Sequence, residues 1–234
     1  MSFDKIEKIL KERRQDVSLN AWGKALHSLK NLCKRECSDY LFEFASFFSL
    51  ACEIVDVNTS VSWQINSPKV SGADTAKLVW PLAPGHSDFY SYLSANINGR
   101  AVVIRPGVQA NVPGHNTTIA PDISLRLWAP NSLHDQIVCM WDAKHRFNPE
   151  ERITRSEIYT FAVEARSLIN GANVKWWVDI CAESTHKRAR LLRNSSILTN
   201  GRQSTEPESI LIANNVMEAY RYDTSDEAYR GANA

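Results

Sequence analysis

"PDISLRLWAPNSLHDQIVCMWDAKHRF", residues 121–147, holds two apolar runs separated by a polar turn. Each run carries an acid where a buried strand should be apolar. Asp122 sits just inside the first run, Asp142 ends the second, and Lys144 follows two residues later. Neighbouring strands bring such acids within a few ångströms of each other. Two close carboxylates repel and stay partly protonated unless a cation neutralises them. A hard divalent ion such as Mg²⁺ does this with oxygen ligands. Side chains alternate along a strand, so Asp142 and Lys144 share one face. The lysine is then aimed at the same point, where it can orient a water or offset charge on a phosphate oxygen. Ala143 turns the other way, and its carbonyl is a further candidate ligand.

The elements around this stretch follow from periodicity. Residues 4–14 and 19–35 read as helices, the second through Trp22, Leu26, Leu29 and Cys33. A third helix spans 38–56, capped by Ser38 or Asp39 and apolar nearly all round, which places it against or within a core. The period then changes to that of strands at 61–65, 88–97 and 100–107. Asn98-Gly99 joins the last two as a hairpin turn. The loop at 106–117 is rich in Pro, Gly and Asn, and strands follow at 118–129 and 136–144. Residues 152–169 return to helical spacing through Ile158, Phe161, Ala165 and Leu168, with Gly171 as a candidate C-cap. "VKWWVDICA" at 174–182 reads as another buried strand, and 222–234 as a frayed polar tail.

The 234 residues are 44% hydrophobic, enough for one large core with a helical appendage. The formal net charge of +1 offers no overall field for nucleic acid, so binding would need a local basic patch. No apolar stretch is long enough to span a bilayer, and the charged N-terminal segment lacks the apolar centre of a signal peptide. The chain is therefore expected in the cytoplasm, without a membrane partner. Cys33 and Cys37 form one CxxxC pair with no second pair nearby, whereas a tetrahedral zinc site needs four ligands.

Pro121-Asp122 followed by Asp142-Ala143-Lys144 resembles the signature of the PD-(D/E)XK nucleases, the restriction-endonuclease-like superfamily. Pro121-Asp122 is the one Pro-Asp pair in the chain, and Asp142 the one acid with a lysine at that spacing. The resemblance implies an α/β fold whose core runs helix, mixed central sheet, helix, strand between about residues 38 and 182. It thus divides the chain into a helical extension at 1–37 and a nuclease-like domain at 38–234. It also implies Mg²⁺-dependent hydrolysis of DNA phosphodiesters, with Mn²⁺ as a substitute ion. Asp122 and Asp142 would hold metal and Lys144 would act on the water or the phosphate. Many members carry a metal-site glutamate on the preceding helix, and Glu43, buried among phenylalanines in "LFEFASFF", matches it; Glu53 is the alternative. An unpaired carboxylate there is costly unless something compensates it. His145 alternates to the opposite face and reads as a packing residue. Glu157, Tyr159 and Glu164 match the family's following helix only loosely.

The pattern is closest to nucleases of bacterial restriction and phage-defence systems. Several of these work beside an ATPase or sensor subunit. No GxxxxGK[ST] phosphate loop is present, so such an ATPase would be a separate chain. Homo-oligomerisation is a further expectation, with the apolar N-terminal helices as its only support. Residues 186–202 hold five Lys or Arg and no acid, and Lys187, Arg188, Arg190 and Arg193 are the candidate phosphate contacts. Trp176 and Trp177 read as packing rather than base stacking. Three alternatives stay open: a catalytically idle relative that only binds nucleic acid or a partner, a different enzyme class such as a ribonuclease on the same fold, and a structural assembly subunit.

Overall fold

The computed structural model describes residues 38–58, 60–66, 90–128, 136–169, 171–185, 188–222 and 227–231. The expected helices at 4–14 and 19–35, the Cys33–Cys37 pair and the proposed 1–37 extension lie outside the described residues. Helix α1 (Ser38–Val57) forms where the sequence predicts it. Asp39 in its first turn favours the positive end of the helix dipole. Phe42, Phe44, Phe47, Phe48, Leu50 and Ile54 are all buried, so the helix is covered nearly all round.

Strands β1 (Gln64–Asn66), β2 (Tyr92–Ile97) and β3 (Arg100–Pro106) form an antiparallel set. The β2–β3 turn has Asn98 and Gly99 at φ 48° and 80°, the left-handed pair that an Asn-Gly hairpin turn requires. The loop after β3 folds into a small two-stranded sheet, β4 (Ala110–Asn111) with β5 (Thr118–Ile119). Buried Arg126 fastens the start of this loop, donating to the carbonyl of Val108 at 2.6 Å. Strands β6 (Ile123–Leu127) and β7 (Gln136–Lys144) pair antiparallel, with a register shift at Leu125/Arg126.

Helix α2 (Arg155–Leu168) starts at a reciprocal cap: Thr154 Oγ1 accepts from the Glu157 amide, and the Glu157 carboxylate accepts from the Thr154 amide. It ends at Ile169 rather than at Gly171. Gly171 instead opens helix α3 (Gly171–Ala182), which replaces the strand expected at 174–182. Trp177, Ile180 and Cys181 point inward while Lys175 and Asp179 are exposed, the spacing of a helix face rather than of a strand. Helix α4 (Ala189–Arg193), strand β8 (Ser196–Thr199), helix α5 (Glu208–Ala213) and strands β9 (Met217–Tyr220) and β10 (Ala228–Gly231) complete the described elements. Part of the expected frayed tail is therefore the edge strand β10. Buried Arg230 on it donates to buried Glu218 on β9 at 2.7 Å.

The fold is α/β around one mixed sheet of order β1-β2-β3-β6-β7-β8-β9-β10. Pairing is antiparallel from β1 to β7, parallel across β7-β8-β9, and antiparallel again at β10. The connection from β7 to β8 runs through α2, α3 and α4, as a parallel pair requires. One face of the sheet packs against α1, α3 and α4 through Trp141, Trp177, Leu191 and Leu198. The other face packs against α2 through Met140, Ile158, Phe161 and Ile197. Among the described residues no helix is long and apolar enough to cross a membrane.

Candidate active site

Asp122 immediately precedes β6. Continuing the register beyond the Ile123–Trp141 pair sets it opposite Asp142. The backbone there is fixed from two sides. The Gly107 amide donates to the Asp122 carbonyl at 2.7 Å, and the Ala143 amide donates to Asp122 Oδ2 at 2.9 Å. Along β7, Trp141 and Ala143 enter the core with α1, so Asp142 and Lys144 project from the α2 face. The Lys144 ammonium stands 2.8 Å from Asp142 Oδ1, and both side chains are partly exposed. Glu43 arrives from the first half of α1, which lies beside the end of β7: Asp39 faces His145 at 3.2 Å, and the Phe42 ring centre is 5.9 Å from that of His145.

Each charge in the group registers the others. Burial pushes the Asp122 carboxyl well above the usual carboxylate range, and the charge of Asp142 with a shared hydrogen bond pushes it the same way. Lys144 opposes this too weakly to reverse it. Burial likewise raises Glu43 to about 7, against the pull of Lys144 and with the push of Asp142 and Asp39. Burial disfavours the charge on Lys144, but Asp142 and Asp122 outweigh that and hold the ammonium above its ordinary value. Glu164 on α2 belongs to the same surroundings: burial raises its carboxyl, Asp142 adds to the rise, and Lys144 opposes it. Three acids around one ammonium are held toward protonation, chiefly by burial and secondarily by one another's charge.

The donors are carboxylate oxygens on two adjoining strands and a helix, chemistry that fits a hard divalent cation. Asp122 and Asp142 are the paired part of that set. Among the described residues no three His, Cys, Asp or Glu side chains are arranged as a ready-made metal centre.

The other positions singled out in the sequence fall elsewhere. Glu53 is fully buried and ion-paired with Arg188, so it is no member of this group. His145 packs between Phe42 and Phe147, and burial lowers its pKa. Glu157 is bound by Arg146 at 2.6 Å and by Thr154, which hold its carboxyl low despite burial. Tyr159 is exposed on α2. Trp177 is buried and donates to the Leu192 carbonyl at 2.7 Å, and Trp176 lies 5.0 Å beneath the Arg100 guanidinium.

The basic segment needs correction. Arg188 is not a surface phosphate contact, because its guanidinium is spent on Glu53 and Glu227. Arg190 and Arg193 lie half-buried on α4, whose Leu191 and Leu192 pack on the sheet face opposite the one that bears Asp142 and Lys144. Lys187 lies outside the described residues. The sequence showed a run of bases but not which face of the sheet would carry it. Glu164 was within reach of sequence reasoning through its spacing from Phe161 and Leu168, which places it on the edge of the buried stripe of α2. Compared with protein-family models, with curated proteins and with solved structures, the chain matches none.

Proposed function

We propose that this chain is a metal-dependent nuclease of restriction-endonuclease-like architecture that hydrolyses phosphodiester bonds of DNA. One observation carries the reading: Asp122 opens β6 opposite Asp142 at the end of β7, and Lys144 lies on the same face, 2.8 Å from Asp142. The order of elements supports it. A buried helix precedes the antiparallel strands, and three helices, α2, α3 and α4, then lead to the parallel strand β8.

In this reading Asp122 and Asp142 hold Mg²⁺ or Mn²⁺ and Glu43 adds a third carboxylate. The ion, when bound, acts as a Lewis acid and lowers the pKa of a bound water. Lys144 sets its ammonium beside the phosphate oxygen that gains charge, or orients the attacking water. Burial raises the Glu43 carboxyl to about 7, so it gives up a proton on joining the ligands near neutrality. A role in bacterial restriction or phage defence, with a separate ATPase or sensor subunit, belongs to the same proposal.

The test is cleavage of DNA and of RNA of matched sequence in Mg²⁺, in Mn²⁺ and in chelator. Wild type should cut DNA in a metal-dependent way, and Asp142→Asn should lose that activity with an unchanged melting curve. Cleavage of RNA alone would make the protein a ribonuclease. A second reading has its own support. The close Lys144–Asp142 pair and the lack of a ready-made three-ligand group among the described residues also suit an idle relative that binds without cutting. Absence of both metal binding and cleavage would establish that reading instead.

A further inference from the structure

At the far end of β7 from Asp142 and Lys144, the β4–β5 loop stands over a half-open cavity of about 1000 Å³. Its size lies at the upper end of small-molecule sites, which run to about 1,000 Å³. Val112, Ile137 and Leu168 line its apolar part and belong to the core beneath, so that part is preformed. His115, Asn116 and Gln136 supply polar groups around it. None of the described lining residues is Asp, Glu, Lys or Arg. Among the described lining residues a phosphate, carboxylate or ammonium finds no countercharge, which favours a neutral ligand. Primary amides such as those of Asn116 and Gln136 match the paired donor and acceptor on the edge of a base. An imidazole such as that of His115 offers a face on which a planar ring stacks.

We propose that this cavity binds a neutral planar heterocycle of the nucleobase class, as a free nucleoside or as one base of a single strand. The proposal goes beyond the nuclease reading and does not depend on it. Arg126 ties the chain just before β4, at the carbonyls of Val108 and Gln109, and the apolar lining belongs to the core, so binding needs little reorganisation.

The experiment titrates the full chain, in chelator, with adenosine, guanosine, cytidine and uridine singly, and with short single-stranded homopolymers of the same bases. Binding is followed by calorimetry and by the NMR shifts of the His115 ring. Asn116→Ala and Gln136→Ala should each weaken binding about tenfold, the scale of one lost hydrogen bond. Asn116 is exposed, so Asn116→Ala should leave the melting curve unmoved. Saturable binding of a nucleoside that shifts His115 identifies a free ligand. Binding of oligonucleotides alone, weakened by the same substitutions, identifies a base held within a strand. Absence of binding, or binding that neither substitution weakens and that leaves the His115 ring unshifted, overturns the proposal. Metal-dependent cleavage by wild type is measured separately, so this cavity and the acid site fail or stand independently.

Discussion

In the proposed reaction Lys144 is the central side chain, since it touches one acid and offsets the charge of others. Lys144→Ala removes that offset. We expect the single-turnover rate at saturating Mg²⁺ to fall by about 10²–10⁴-fold, the range of one positioned catalytic group. Mg²⁺ affinity, read by calorimetry, should hold or rise, because a like charge has left the ligands. A normal rate with weakened metal binding would make Lys144 a structural partner of Asp142. Glu43 gives a prediction in pH. Its folded pKa of about 7 exceeds the ordinary 4.5, so the folded state binds more protons between those values. Its stability contribution is full below about 4.5 and is lost as pH rises through 7, at up to about 1.4 kcal/mol per pH unit. Glu43→Gln should therefore melt higher than wild type at pH 8 and not at pH 4.5. The pairing of Asp122 with Asp142 followed from local sequence, because alternation and strand order decide it. The partner of Glu53 did not, since Arg188 is distant in the chain.

At the scale of elements, α1 shows how a charge is kept inside an apolar helix. Glu53 accepts from Ser49 at 3.1 Å one turn earlier and is ion-paired with Arg188, which also lies over the Tyr222 ring and pairs with Glu227. Removing one partner of a buried pair leaves the other charge uncompensated, at about 3–5 kcal/mol. Arg188→Ala should lower stability by that amount in denaturant melts, and adding Glu53→Gln should restore part of it. An Arg188→Ala protein with unchanged stability would return the residue to the surface role read from the sequence. The hairpin β2–β3, strands β6 and β7 and helices α1 and α2 formed as their periodicity indicated. Helix α3 did not, because a nine-residue apolar run with aromatic and β-branched residues has the same look in a buried strand and in a helix packed on one side. Its inward residues Trp177, Ile180 and Cys181 fit the helical period only once the exposed Lys175 and Asp179 are considered with them. Strands β8, β9 and β10 are four residues each, too short for alternation to separate them from loop.

Over the whole molecule, one sheet joins an antiparallel half that carries Asp122 to a parallel half that β7 begins. The acids stand at the strand where the two halves meet, and they converge only when β6 and β7 are paired. Metal binding should accordingly be linked to global stability. Mg²⁺ at 1,000 times its Kd should stabilise the fold by about 4 kcal/mol, seen as a rising Tm across a titration. The rise should be larger at pH 8 than at pH 6, because Glu43 and Asp122 must give up protons to bind. A Tm independent of Mg²⁺ at both pH values would argue for the idle relative.

The ion pair of α1 also sets a timetable. Synthesis proceeds from the N-terminus, so α1 leaves the ribosome long before its partners; Ser49, beside Glu53, is separated from Arg188 by 139 positions in the chain. Until Arg188 emerges, Glu53 is a negative charge without its arginine, in the last third of a 20-residue helix rich in apolar residues. That charge favours water over burial, so it keeps the nascent helix from burying itself early against itself or against lipid. When the arginine arrives the charge is cancelled, and α1 is free to dock on the finished strands.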